Sequence, residues 1–183
     1  MSITFPGTTI ETTSLEKGSS KVLFDGIFAA GGITLSQVSI MTGLEPYMIQ
    51  NWVKRGFVTS PVKRVYSKEQ FARIVIINML RESLQIEKIC DLIKIIGGNI
   101  NDKSDDLIND DALYHRYVDM ISGNDINISD AKSVIKASQN AVSDLKTRSI
   151  TEKKTLQSIL QVMLYAHAAS RIRALADEIL ISF

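Results

Sequence analysis

The stretch of sequence that decides the fold is residues 34–55, TLSQVSIMTGLEPYMIQNWVKR. It opens with a capping box, in which the Thr34 hydroxyl accepts a hydrogen bond from the Gln37 backbone and the Gln37 side chain accepts one from the Thr34 N–H. Gly43 ends the helix that follows, and Pro46 suits the first position of the next one. Two short helices joined by a turn that contains glycine form a helix-turn-helix, which we predict here.

The second of these helices is predicted to run to about Arg55, before Gly56, with an inner face of Ile49, Trp52 and Val53. The residues left on its outer face are Tyr47, Gln50, Asn51, Lys54 and Arg55. Gln and Asn pair with adenine in the major groove of DNA, and Arg and Lys pair with guanine or phosphate. Most such contacts reach phosphates, so we expect the two basic residues to position the helix rather than to read bases.

Residues 57–66 alternate two valines around a basic pair, which predicts a short extended wing. Its side chains Lys63, Arg64 and Tyr66 are expected to reach a DNA strand or the adjacent minor groove. Ser67-Lys68-Glu69-Gln70 is a second capping box that opens a third helix to about Ser83, and a fourth follows over about 86–96. The recognition surface therefore comprises one helix face and one wing.

The charge distribution supports this assignment. Residues 45–81 contain seven basic and two acidic side chains, whereas residues 99–130 contain eight acidic and two basic ones, although the net charge of the chain is only +1. Such segregation gives one surface suited to phosphates and another that repels them. The simpler alternative is two solvated faces without a partner.

Residues 33–96 resemble the DNA-binding head of the MerR superfamily. TLSQVSIMTGLEPYMIQNWVKRGFV is similar to its first two helices, and KRVYSKEQFARIVIINMLRESLQIEKICDLI to its wing end and its third and fourth helices. The chain is more similar still to a poorly characterised family of unknown function from Gram-positive bacteria that carries a MerR-like head. The shared pattern there is residues 48–54, 61–64 and 66–67.

The resemblance implies that Gln50, Lys54 and Arg55 lie on the DNA-facing helix, and that Lys63, Arg64 and Tyr66 lie on the wing. It also implies a transcription regulator of a bacterial cytoplasm. The wing is shorter than is typical of that family, and Asn51 stands where an aromatic residue is frequent. No cysteine-bearing metal loop or long dimerising coiled coil is evident after the head, so promoter untwisting is not implied.

We predict an all-α protein with a minimal β wing, divided into three parts: an N-terminal arm and helix (1–32), a MerR-like winged helix-turn-helix (33–98) and a helical dimerisation or effector domain (104–183). Residues 1–17 are expected to form a loose arm, and the helix after them, about 20–30, to turn Val22 inward. Residues 99–104 form a linker. The last helix, about 152–181, is apolar over a wide face, which predicts burial in the domain or at a dimer interface.

Nothing in the sequence supports catalysis, a metal site or a cofactor. Cys90 lies among aliphatic residues, and His115 and His167 have no second ligand at metal-binding spacing. The N-terminus is unlike a signal peptide, and no apolar run approaches the roughly 18–20 residues that span a bilayer.

We therefore expect a regulator that binds double-stranded DNA as a homodimer, because two heads double the few contacts of one. The alternative is a protein-interaction adaptor that keeps the head without DNA affinity, and that covers Gln50 and Lys54 with other helices. A small-molecule effector is a further expected partner. Tyr114, Tyr117, Met163 and Tyr165 either line its apolar pocket or, as we favour, simply form core.

Overall fold

The computed structural model describes residues 3–97, 106–123 and 125–183. Eight helices and four two-residue strands are present in these residues. The helices are α1 (Ser19–Ile27), α2 (Leu35–Thr42), α3 (Pro46–Lys54), α4 (Lys68–Leu80), α5 (Ile86–Gly97), α6 (Asp110–Ile121), α7 (Ala131–Ala141) and α8 (Ile150–Ile181). The strands form two antiparallel pairs, β1 (Ile3–Thr4) with β2 (Glu11–Thr12) and β3 (Ile33–Thr34) with β4 (Val65–Tyr66). The fold is thus largely helical, as predicted.

Local sequence signals set the ends of the helices in the first half of the chain. Both predicted capping boxes are formed, at Thr34 before α2 and at Ser67 before α4. Gly43 adopts a left-handed φ of 70° at the end of α2, and Pro46 opens α3. Helices α2 and α3 pack on each other and form the predicted helix-turn-helix.

Helix α4 is the centre of the molecule. Nine of its 13 residues are buried, and it packs against α2, α5, α6 and α8. One continuous cluster of buried residues joins the helix-turn-helix to the C-terminal helices through α4. Arg73 lies within it and donates from Nε to Asp110 Oδ2 of α6 at 2.8 Å. The head is therefore held by packing as well as by chain connectivity.

The expectation of a loose N-terminal arm is wrong. Residues 3–12 form the β1–β2 hairpin, and only 5% of Phe5 is exposed. Thr9 N–H donates to the Met41 carbonyl at 2.9 Å, and the Thr9 hydroxyl donates to the Ile40 carbonyl at 2.7 Å. Since these are free carbonyls in the last turn of α2, the arm caps the end of that helix.

The inner face of α1 also differs from the prediction. Val22 is 74% exposed, whereas Phe24 is fully buried against Phe71 and Tyr114. Helix α1 packs on α6, and the large aromatic ring of Phe24 takes the interior position because it gains more from burial than the smaller Val22.

The C-terminal helices α6, α7 and α8 pack on one another. Asp130 caps α7, and Ile135 of α7 is exposed. Ser149 caps α8, whose buried residues lie between Leu156 and Ala166. From residue 171 onward every residue of α8 is exposed, so this part of the helix extends beyond the core. The predicted linker 99–104 lies outside the described residues.

Across the described ranges, none of the helices has the length and apolar character that a membrane crossing requires.

Candidate nucleic-acid interface

Helix α3 presents a polar outer face, as its spacing predicts. Ile49 and Trp52 are buried beneath it. The side chains on the outer face are Tyr47, Gln50, Asn51 and Lys54, all of which are exposed. The inner residues anchor the helix, so that its polar residues are held on a rigid element and turned to solvent.

Arg55 caps the C-terminal end of α3 and is held against the head. Its guanidinium carbon lies 4.6 Å from the centroid of the Phe57 ring, and Nη2 lies 3.9 Å from Glu87 Oε1 of α5. A cation over an exposed ring contributes about 0.5–1 kcal/mol, and an exposed ion pair at this distance contributes little. The contacts therefore orient Arg55 without removing its charge from the surface.

The wing is a tight hairpin whose tip consists of two basic residues. Val62 pairs with Val65, and Val65 N–H donates to the Val62 carbonyl at 3.0 Å. Lys63 and Arg64 between them have φ angles of 51° and 65°, the left-handed conformation that such two-residue turns demand. For residues other than glycine this conformation costs roughly 1–2 kcal/mol each. The chain thus accepts strain at the point where it exposes two cations.

The expectation that Tyr66 lies on the surface of the wing is wrong. Tyr66 is in β4, where it pairs with Ile33 of β3, and only 3% of it is exposed. Because side chains alternate along a strand, Tyr66 turns into the core next to the buried Ile33 while Val65 is only half-buried. Burial raises the pKa of its hydroxyl. Tyr66 anchors the wing from below, and its buried side chain is not presented to a DNA strand.

The charge of this region is concentrated on α3 and the wing tip. Three of the seven basic residues in 45–81 are neutralised by the chain itself. They are Arg73 with Asp110, Lys68 with Asp25 at 2.5 Å, and Arg81 with Glu82 at 3.3 Å. Lys54, Lys63 and Arg64 have no ion pair within the described residues. We call Lys54, Arg55, Lys63 and Arg64 the basic patch.

Asn78 positions the helix-turn-helix, a role that our sequence reasoning missed. Its Nδ2 donates to the Gly7 carbonyl of the arm at 3.0 Å and to the Thr42 carbonyl of α2 at 2.9 Å. Its Oδ1 accepts from Arg81 Nε at 2.8 Å. The signal was present as one amide within the aliphatic run of α4, because a partly buried polar group needs partners.

The histidines are held by internal hydrogen bonds. His115 Nδ1 lies 2.9 Å from the hydroxyl of the buried Ser20, and His167 Nδ1 lies 2.7 Å from the hydroxyl of Tyr117. Burial lowers the pKa of both imidazoles, that of His167 to about 4. A search of the described residues finds no group of three or more His, Cys, Asp or Glu that is arranged to hold a metal ion.

The four residues considered for an apolar pocket do not line one together. Tyr114, Tyr117 and Met163 are fully buried core residues, in agreement with the interpretation that we favoured. Tyr165 lies on the opposite, exposed side of α8.

Comparison with known proteins links the chain to families without an assigned function. The model of a domain of unknown function, DUF1836, matches residues 32–117. The matched segment is slightly less than half of the chain and extends from the start of β3 into α6. An uncharacterized protein of Bacillus subtilis, YkrK, is 33% identical over 86 residues. That alignment covers 45% of this chain and 37% of YkrK. No solved structure matches the chain.

Proposed function

We propose that this protein is a bacterial cytoplasmic transcription regulator whose MerR-like head binds double-stranded DNA. Helix α3 enters the major groove, with Gln50, Asn51 and Tyr47 toward the base edges. Lys54 and Arg55 at the end of α3 and Lys63 and Arg64 at the wing tip bind the phosphates of the flanking strands.

The observation that carries the proposal is the position of the basic patch. All four cations are exposed, and they flank a helix whose outer face is otherwise amide and aromatic. Two of them occupy left-handed backbone positions that Asn and Gly would fill at lower cost. Backbone strain of this kind is concentrated at functional sites. Phosphates at close range are the partner that four such cations fit.

The adaptor alternative predicted that other helices cover Gln50 and Lys54. Both side chains are exposed, and α1 packs on α6. The outer face of α3 is thus accessible to a duplex, and this favours the DNA-binding proposal over the adaptor.

The homodimer in this proposal is supported by the outer face of α8. Helix α8 has a second apolar stripe, on the side away from its buried residues, whose large members are separated by seven, three and four residues. Its large members are Tyr165, Ile172, Leu175 and Ile179, which are 44%, 58%, 58% and 62% exposed. This spacing is the seam of a two-helix coiled coil. Ala169 and Ala176 flank it and allow a second helix to approach closely. We propose that the stripe pairs with the same stripe of a second copy.

DNA binding is tested by fluorescence anisotropy with a labelled random-sequence duplex at low salt. The test variant replaces Lys54, Arg55, Lys63 and Arg64 by Ala, and a matched control replaces Lys132, Lys136, Lys146 and Lys154, four exposed lysines of α7, α8 and the loop between them. We expect native binding in the control and a loss of 100-fold or more (~3 kcal/mol) in the test variant. Equal binding by the two variants, or no binding by the native chain, would overturn the proposal.

The dimer is tested by size-exclusion chromatography with light scattering. Ile172→Glu combined with Leu175→Glu places two charges in the stripe and is expected to give a monomer, whereas Lys154→Glu, on the same helix but outside the stripe, leaves the dimer intact. A native chain that is monomeric at micromolar concentration contradicts the dimer.

A further inference from the structure

A second site is visible on the face where the arm meets α8. A groove of about 500 Å³ lies between the loop at residues 13–15, the end of α6 and α8. Its walls include Leu15, Ile121, Leu164 and Ala168, and its polar lining includes His167 and Arg171. Apolar walls with a few convergent polar groups, in a volume of roughly 300–1,000 Å³, are typical of small-molecule sites.

The His167 ring offers a hydrogen-bond donor to this groove. Tyr117 is fully buried, and its hydroxyl has one partner in the described part of the chain, His167 Nδ1 at 2.7 Å. We infer that the hydroxyl proton goes to Nδ1, because the described residues give it no other hydrogen-bond partner. The imidazole proton then resides on Nε2, on the far side of the ring from Tyr117.

Arg171 supplies a cation at the same end of the groove. It lies one helical turn after His167, and its positive charge acts on both His167 and Tyr117. No ion pair engages it in the residues that the structure describes. One end of the groove thus combines a guanidinium and an N–H donor. The remainder is lined by aliphatic side chains and by the hydroxyl-bearing residues Thr13 and Ser14.

We propose that this groove binds an amphiphilic carboxylate, such as a medium-chain fatty acid. Its carboxylate is received by the Arg171 guanidinium and the His167 Nε2–H, and its hydrocarbon tail lies against Leu15, Ile121 and Leu164. A guanidinium binds a carboxylate through two parallel hydrogen bonds, and a hydrocarbon tail suits the aliphatic side chains of the wall.

The groove is connected to the head through the arm. Leu15 follows β2, and the same hairpin holds the last turn of α2 through the two hydrogen bonds of Thr9. A ligand that fixes the loop at residues 13–15 changes how firmly the arm holds α2. The expected consequence, a change in DNA affinity when the ligand binds, rests on the proposed function.

Calorimetric titration of the full chain with decanoate, below its micelle concentration, tests the site. Arg171→Gln is the test variant. Arg173→Gln is the matched control, because Arg173 is on the same helix but is bonded to Glu82 and does not line the groove. We expect equal binding by the native chain and the control, and binding weaker by roughly tenfold or more in the test variant. Decylamine, with the same tail and the opposite charge, is expected not to bind.

No binding of decanoate to the native chain, equal binding to both variants, or equal binding of decylamine would each overturn the site. The link to the head is then measured as DNA anisotropy with and without saturating decanoate. Unchanged DNA affinity refutes the link. No DNA binding in either condition is a failure of the proposed function, and the calorimetry still decides the site.

Discussion

The basic residues between positions 45 and 81 divide into two groups that the structure treats differently. Arg73, Lys68 and Arg81 belong to α4 and its end, and each is bonded to an acidic residue of the chain. The basic patch on α3 and the wing tip remains at the surface. Among the residues that the structure describes, Arg55 is the one member of the patch with an ion pair, a long one to Glu87. The net charge counted along a sequence therefore overstates the positive charge that is available to a partner. The position of each cation in the fold decides whether it pairs within the chain or stays exposed at the surface.

The largest effect is expected from breaking the internal group at Arg73. The Arg73–Asp110 pair is nearly buried, and burial raises the pKa of Asp110 although Arg73 opposes the shift. Arg73→Met leaves that carboxylate without its cation and is expected to lower the free energy of unfolding by about 3–5 kcal/mol. Urea denaturation measures the loss.

The matched control for this change is Arg73→Met combined with Asp110→Leu, which removes both charges from the interior. It is expected to recover most of the stability. If the single and double variants are equally unstable, the ion pair is not the reason for the loss.

The half-buried imidazole of His167 gives the next largest effect, a pH dependence of stability. Burial lowers the pKa of His167 to about 4, from an ordinary value of 6.5. The unfolded chain thus binds a proton near pH 6.5, and the folded chain only near pH 4. The contribution of His167 to the free energy of unfolding is therefore fully present above pH 6.5. It is expected to fall by about 3 kcal/mol as the pH drops to 4.

Urea denaturation across this pH range, with His167→Gln for comparison, isolates the contribution. The amide of Gln still accepts from the Tyr117 hydroxyl but does not titrate, so its profile is expected to be flatter. Parallel profiles for the two proteins would mean that His167 is not the titrating group.

The smallest effect on stability is expected at the wing tip, where the substitution is expected to stabilise the protein rather than destabilise it. Lys63→Asn with Arg64→Gly provides the residues that a left-handed two-residue turn prefers. The double change is expected to raise the free energy of unfolding by about 1–2 kcal/mol while it lowers DNA affinity. Thermal denaturation and anisotropy measure the two effects on the same sample. A variant that loses stability shows that the tip is not strained.

Local signals predicted the helix-turn-helix well. The capping boxes at Thr34 and Ser67, the glycine after α2 and Pro46 of α3 act within one or two turns of helix, so the sequence alone shows them. The outer face of α3 followed from the spacing of Ile49 and Trp52.

Long-range packing was not predictable in the same way. Tyr66 was expected to reach DNA together with Lys63 and Arg64 because it is close to them in sequence. The direction of its side chain is instead set by the pairing of β4 with β3, which lies more than thirty residues earlier in the chain. The polar composition of the arm led us to expect a loose segment. In the structure, Phe5 is buried and the Thr9 hydroxyl donates a hydrogen bond to the Ile40 carbonyl of α2. Such contacts depend on which elements meet, and short polar segments carry no periodicity that reveals them.

The central claim is that the basic patch neutralises phosphates, and the salt dependence of DNA binding tests it most directly. Each phosphate that a cation neutralises contributes about −0.9 to the slope of log K against log salt concentration. We predict that replacing Lys54, Arg55, Lys63 and Arg64 by Ala makes the slope less negative by about 3–4 for each head. The same slope for the native and the substituted chains would contradict the account.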